Sequence, residues 1–334
     1  MKIYCSIPNN ETGRTFITDK ALAELAKVGE LTRNMAETQP TADDLVRDAY
    51  DADIIVCGWG SIKFTKDVTD RLPNLKMIAY AGGSMAGTVD ESVYEKGIVT
   101  LTGNYIFAMS VAEGCLAYAL CALRELERYM RQVREGGWNE NWTNRGLFGK
   151  RIGIDGFGEI AKNFVQMLKP FDMEILINSG HLTEEEAASY GARKATREEI
   201  FETCDIVSLH MSLTPKTEKC ITRELMEKLQ PHALLINTAR GSVVDDVAME
   251  ELLAEGRFFA ALDAHAQEPL PVDSRLRKLP NAMLIPHMGG PTIDMREYII
   301  CSFAKDIKAF AEGKPLKNEI GAAASARMSQ NKKV

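Results

Sequence analysis

Short apolar runs alternate with amphipathic, helix-spaced segments along almost the whole chain, and they do so in two successive series. KIYCSI, DIIVCG, LKMIAY and GIVTLT read as strands within the first hundred residues, separated by segments such as DKALAELAKV and TADDLVRDAY. After a long helical pattern from Ser110 to Trp138, the alternation restarts with RIGIDG, MEILIN, DIVSLH, ALLINT, FAALDA and AMLIPH. Strands joined through helices pair in parallel, and a parallel sheet is covered on both faces, so its strands read as continuous apolar runs. Two such series predict an α/β chain of two doubly wound parallel-sheet domains with a cleft between them. A length of 334 residues suits two domains of ordinary size.

The segment Thr102–Asn104 separates the two series. From about Met295 the chain is helical again without a strand of its own, so it must pack on something already built. The expected division is 1–103 plus 294–334 as one domain and 104–293 as the other, with hinges near 103 and 294. The tail SARMSQNKKV is small and polar, which predicts disorder.

Composition excludes several classes. Net charge is −7 with no basic tract, so an electrostatic footprint for nucleic acid is absent. No uninterrupted apolar run approaches the roughly 20 residues that span a bilayer. MKIYCSIPNN is too short in apolar residues for a signal peptide. Seven cysteines without a CxxC pair speak against a disulfide framework and against a zinc site. The expectation is a cytoplasmic protein with no metal and no membrane partner.

The strand RIGID runs directly into Gly156-Phe157-Gly158-Glu159-Ile160-Ala161, and the helical KNFVQMLKPF follows. This is G-x-G-x-x-A in a strand–turn–helix context. The first Gly permits the tight turn, the second lets backbone approach a pyrophosphate, and the third position, here Ala161, allows close helix–strand packing. The helix N-terminus adds unpaired N–H groups and partial positive charge. The pattern predicts a Rossmann-like dinucleotide domain, with a flavodoxin-like doubly wound domain before it. The next strand ends in Asn178-Ser179-Gly180-His181, where an acid would hold the ribose 2′-hydroxyl of NAD. Ser179 removes repulsion of a 2′-phosphate, but no Arg follows at once to attract one. Ser179 and His181 can hydrogen-bond either group, so the cofactor is NAD or NADP.

Three further strand ends carry polar residues. Arg240 lies just past ALLINT, Asp263 stands at the strand end in FAALDA with Glu268 five residues on, and His287 stands in LIPHMGG, after a proline and shortly before two glycines. Ligands of open α/β sheets bind outside the carboxyl ends of the strands, so these groups are expected to face one crevice with the glycine turn.

From about Leu75 to Thr292 the chain resembles the D-isomer-specific 2-hydroxyacid dehydrogenases. The blocks are LKMIAYAGG, VAEGCLAYAL, GIDGFGEIA, CDIVSLHMSLTPKT, LINTARGSVVD, ALDAHAQEPLP and LPNAMLIPHMGG. Departures are Ser179 for the usual acid, Ala161 for Gly, Ser212 where HxPLT has Pro, and DAHAQEP where DVF-type sequence is common. The first 70 residues match only in rhythm. The resemblance implies interconversion of a small 2-keto acid and its D-2-hydroxy acid. Arg240 would anchor the substrate carboxylate, His287 would act as general acid or base, and Glu268 would orient it; an imidazole ionises near about 6.5, leaving both forms accessible. Backbone N–H groups at Gly83 and Ser84 would form a second carboxylate clamp, and Asp263 would meet the nicotinamide carboxamide. Further cofactor contacts are implied at Ser110, at His210, Met211, Ser212 and Thr217, at Thr238 and Ala239, and at Gly289. The region Ser110–Trp138 would build a homodimer. Trp59, Met85 and Tyr105 are pocket-wall candidates. An alternative reading is an NAD(H)-binding corepressor-like scaffold of the same fold. Formate oxidation is disfavoured, since that relative carries Gln where Glu268 stands.

Overall fold

The computed structural model describes residues 1–138 and 141–328. They divide into two compact units, Met1–Phe107 with the described residues from Pro291 on, and Ala108–Gly290. The first unit holds β1 (Lys2–Cys5), β2 (Glu30–Arg33), β3 (Ile54–Cys57), β4 (Met77–Tyr80) and β5 (Val99–Thr102), ordered β2-β1-β3-β4-β5. The second holds β6 (Arg151–Asp155), β7 (Glu174–Asn178), β8 (Ala192–Lys194), β9 (Ile206–Leu209), β10 (Leu234–Asn237), β11 (Phe259–Leu262) and β12 (Ala282–Leu284). Their order is β12-β11-β10-β9-β6-β7-β8. Every strand pairing in both sheets is parallel.

The inner strands are apolar throughout because successive side chains enter different cores. In β3, Ile54 and Val56 join a core with Ile3 and Met77, while Ile55 and Cys57 join one with Tyr4, Phe64 and Ile78. In the second unit, Ile152 and Ile154 of β6 pack with Phe164, and Val207 and Leu209 of β9 pack with Phe201 on the opposite face. Helix Ile293–Ala311 covers the first unit's sheet with Ile299, Ile300, Phe303 and Ile307.

Three features differ from the sequence reading. Strands β2 (ELTR) and β8 (ARK) were not anticipated; both lie at sheet edges, alternate in exposure and bury little, so they carry no apolar run. The single helix expected over Ser110–Trp138 is two, Asn104–Leu123 and Leu126–Arg134, interrupted where Glu125 adopts a left-handed conformation (φ 50°). The Glu125 carboxylate is held there by Arg128 Nη1 at 2.6 Å and by the Thr143 hydroxyl. The tail expected to be disordered begins ordered, with Ser325 ending helix Ala322–Ser325 and buried, and Met328 Sδ accepting from the Met85 amide at 3.4 Å. The rest of that tail, 329–334, lies outside the described residues.

Among the described residues one helix, Asn104–Leu123, is long and apolar enough to cross a membrane. Val111, Ala112, Cys115, Ala119 and Leu123 on it are buried in the second unit's core.

Candidate functional site

In the second unit the chain leaves β6 for β7 and β8, then returns to place β9 on the other side of β6. The gap between the carboxyl ends of β6 and β9 is the topological switch point, where such sheets bind ligands. Gly156 follows β6 there with φ 96°. A Cβ at Gly156 would stand 2.6 Å from the Met211 amide nitrogen and 2.7 Å from the His210 carbonyl carbon, so the loops after β6 and β9 touch through a missing side chain. A Cβ at Gly158 would meet nothing within 4 Å. Gly158 caps helix Glu159–Leu168 without a side-chain hydrogen bond, leaving the first amides outward, and Ala161 is fully buried against the strand. A closed turn, an open approach and a tight helix–strand contact fit a dinucleotide pyrophosphate.

His210 adds an independent sign. Its Nε2 pairs with Ser208 Oγ at 2.9 Å, whereas Nδ1 is buried without a hydrogen-bond partner among the described residues. Burial lowers its pKa to about 4, so the ring is neutral at physiological pH. Buried polar atoms are normally paired, and an unpaired one beside the switch point fits a site built to be completed by a ligand.

Other sequence-derived cofactor candidates fall around this turn with varied roles. Phe157 lies edge-on to Tyr190 at 5.0 Å, and Glu159 opens the helix with Ile160 half-buried behind it. Ser179 and His181 follow β7. Met211 is in the core, and the Thr217 hydroxyl donates to the Ser212 carbonyl at 2.7 Å and accepts from the Thr214 amide at 2.8 Å, shaping the loop itself. Thr238 Oγ1 is 3.2 Å from Cys115 Sγ, Ala239 donates to Asn237 Oδ1 at 3.0 Å, and Ser110 is buried on its helix. Sequence reasoning missed Arg197. From nineteen residues beyond Asn178, its Nε donates to Asp155 Oδ2 at 2.6 Å, while Asn178 Nδ2 donates to Asp155 Oδ1 at 2.7 Å. Asp155 is almost wholly buried.

The opposite half of the same edge carries the other candidates, and register explains their meeting. Asn237 of β10 pairs with Leu262 of β11, which pairs with Leu284 of β12. Each is the last residue of its strand, and three residues past them stand Arg240, His265 and His287. These residues are therefore neighbours along the sheet edge, with His265 in the middle. A Cβ at Gly241 would fall 1.9 Å from the His265 carbonyl carbon, so the turn after Arg240 rests directly on His265 backbone. The His265 amide donates to Glu268 Oε1 at 2.9 Å, and its Nε2 lies 2.9 Å from the Ile285 carbonyl. Glu268 Oε2 in turn lies 2.7 Å from His287 Nδ1. His287 sits at φ 50°, with its amide donating to the Ile285 carbonyl at 3.0 Å. Beyond it, the Met288 and Gly289 amides donate to the two oxygens of Asp263, each at 2.8 Å. Asp263 thus fastens the turn that presents His287.

Electrostatics bind the group together. Burial pushes the Glu268 carboxyl up, but the His265 amide and the His287 imidazole outweigh it and hold the group below the usual carboxylate range. Burial works against the charge of Arg240, and nearby Glu268 favours it; the net pKa shift is downward. The His287 side chain remains 46% exposed, so its second nitrogen is within reach of a ligand. His265 is the functional candidate missed from sequence, where it showed only as a departure from DVF-type sequence.

Gly83 and Ser84 lie in the first unit after β4, both half-buried. A Cβ at Gly83 would stand 3.3 Å from the Phe107 ring. Of the pocket-wall candidates, Met85 is wholly in the core, and Tyr105 is exposed, with the Lys317 ammonium 3.8 Å from its ring centre. Trp59 is exposed and lies between Phe16 and Phe107.

The doubly wound sheet with its glycine turn at the switch point defines a dinucleotide-binding α/β protein. The family described as D-isomer specific 2-hydroxyacid dehydrogenase, NAD binding domain, matches residues 116–289. The chain is 32% identical over 307 residues to a D-3-phosphoglycerate dehydrogenase of Methanocaldococcus jannaschii, covering 90% of this chain but only 57% of that protein. It is also 32% identical over 282 residues to a glyoxylate reductase of Thermofilum pendens, covering 82% of this chain and 83% of that one. The crystal structure of the TT0316 protein from Thermus thermophilus superposes with a TM-score of 0.76 at 26% identity, covering 96% of this chain and all of that one. The chain belongs to the D-isomer specific 2-hydroxyacid dehydrogenase family.

Proposed function

We propose that the protein is an NAD(P)-dependent oxidoreductase interconverting a small 2-keto acid and its D-2-hydroxy acid. One observation carries this reading: the 2.7 Å Glu268–His287 pair, with Arg240 beside it, on the sheet edge that also holds the glycine turn. The roles follow from the residue chemistry. Arg240 engages the substrate carboxylate with a planar fork and opposes negative charge developing on the carbonyl oxygen. His287 has Nδ1 committed to Glu268, so Nε2 is the nitrogen that gives a proton to that oxygen in reduction and takes it back in oxidation. Glu268 fixes the orientation of the ring through the Nδ1 contact. When bound, the nicotinamide supplies or accepts the hydride.

The unit carrying Gly156 serves the cofactor, and Gly83 and Ser84 of the other unit offer amides to the substrate carboxylate. With Ser179 in place of an acid, both NAD and NADP are accommodated. The glyoxylate reductase relative supports a small keto acid as substrate. We place the enzyme in the cytoplasm as a homodimer.

The test is a panel of 2-keto acids mixed with NADH or NADPH, followed by the ultraviolet absorbance of the reduced nicotinamide. Oxidation with at least one keto acid is expected. Absence of oxidation with all of them, while nucleotide still binds, would overturn the enzyme reading in favour of a nucleotide-responsive scaffold.

A further inference from the structure

Asp155 is a carboxylate at the end of a strand whose buried positions are otherwise apolar. It closes β6 after Ile152 and Ile154, stands directly before the glycine turn, and is 1% exposed. Leu209, its register partner on β9, meets the same sheet edge with an apolar side chain. A buried carboxylate needs partners, and this one has two. Asn178 Nδ2, at the end of the adjoining β7, donates to Oδ1 at 2.7 Å. Arg197 donates from Nε to Oδ2 at 2.6 Å and from Nη2 to Oδ1 at 3.3 Å. Fold stability alone does not call for such a pair, since apolar residues of similar volume commonly serve as well.

The pair brings a guanidinium to the switch point. Arg197 opens helix Arg197–Thr203 after the edge strand β8, and its two partners immediately precede Gly156 and Ser179. The Cys220 thiol, beyond the loop that follows β9, lies near both charges. Arg197 thus stands by the glycine turn, between the loops after β7 and β9. With Nε and Nη2 facing one carboxylate, planarity turns Nη1 away, and Nη1 has no hydrogen bond among the described residues. The Arg197 side chain is 25% exposed and that of Asp155 only 1%, so a ligand at this edge meets the donors rather than the carboxylate. Burial works against the Arg197 charge, but Asp155 outweighs it and the pKa is raised. Asp155 also fixes the plane of the fork, so an oxyanion would meet donors already in place.

We propose that Arg197 selects the cofactor, taking the 2′-phosphate of NADP through Nη1, so that the protein prefers NADP to NAD. The inference rests on the NAD(P)-dependent reading above and assigns the choice to a residue on the helix after β8, outside the Ser179–His181 loop.

Calorimetric titration of the full-length protein with 2′,5′-ADP and with 5′-AMP, which differ only in the 2′-phosphate, tests it without turnover. The wild type is expected to bind 2′,5′-ADP roughly 10- to 100-fold more tightly, the range of hydrogen bonds to a charged group. Arg197→Met would strand a buried carboxylate, so the informative variant is Asp155→Asn/Arg197→Gln, which removes both charges together. It should lose the preference, with 5′-AMP affinity changed by no more than about threefold, as for a site that nucleotide does not use. Arg197→Lys keeps a charge without the fork and should retain part of the preference. Equal wild-type affinities, tighter binding of 5′-AMP, or a preference that survives the double variant would overturn the assignment. A preference lost in the double variant while no keto acid reacts would uphold Arg197 and count against the dehydrogenase reading. Binding of neither nucleotide would overturn the cofactor site and the proposal together.

Discussion

His287 stands in the left-handed region, which costs a residue with a Cβ on the order of 1 kcal/mol, and the surrounding bonds hold it there. Asp263 takes the two amides after it, the Ile285 carbonyl takes its own amide, and Glu268 takes its ring. His265 touches every part of this arrangement: its ring reaches Ile285, its amide reaches Glu268, and its carbonyl carbon lies against the Cβ position of Gly241 after Arg240. His287→Ala is expected to abolish turnover while cofactor affinity, measured by titration, stays within about threefold, because proton transfer and binding are separate functions. His265→Phe keeps the ring volume but loses the Ile285 bond. It should lower kcat by up to about 10-fold, the worth of one net hydrogen bond expressed in the transition state, with cofactor KM unchanged. Full activity in His265→Phe would show that backbone alone positions the pair.

At the scale of elements, the pH dependence of stability belongs to the loop after β9. His210 is buried neutral with a pKa of about 4, whereas an exposed imidazole in the unfolded chain ionises near about 6.5. Between those values the unfolded chain binds more protons, so stability rises with pH there. The contribution is fully present above about pH 6.5 and is lost as pH falls toward 4, at most about 2–4 kcal/mol. Thermal melts should show the wild type losing more stability over that window than His210→Asn, and parallel curves would refute the assignment. This part of the fold was also legible beforehand, since DIVSLH, ALLINT and RIGIDG are strands whose two buried faces leave no polar alternation. ELTR and ARK were not legible because an edge strand needs little apolar surface, and the break at Glu125 has no Gly or Pro to announce it. Arg240, Glu268 and His287 were visible as polar residues after apolar runs. His265 becomes functional only once register sets it between Arg240 and His287, and Arg197 only once a later helix carries it to Asp155.

For the whole molecule, charge and apolar surface point in different directions. A net charge of −7 favours dispersal of single chains, yet one stretch of the second unit exposes large apolar side chains in succession. Leu126, Met130 and Val133 on helix Leu126–Arg134 are 43%, 51% and 55% exposed, and Trp138, Trp142 and Phe148 after it are 71–72% exposed. Soluble monomers rarely leave so many large apolar side chains in water along one stretch of chain, and burying them at about 25 cal/mol per Å² supplies a driving force for association. A second copy of the same face is the simplest cover, because an isologous contact closes on itself. Sedimentation equilibrium is therefore expected to give twice the 37.0 kDa chain mass. Met130→Lys/Trp142→Lys should shift the protein toward monomer by placing like charges opposite each other across the contact, with the circular dichroism of the fold retained. A wild-type chain that sediments at its single mass would mean that this apolar face has another partner.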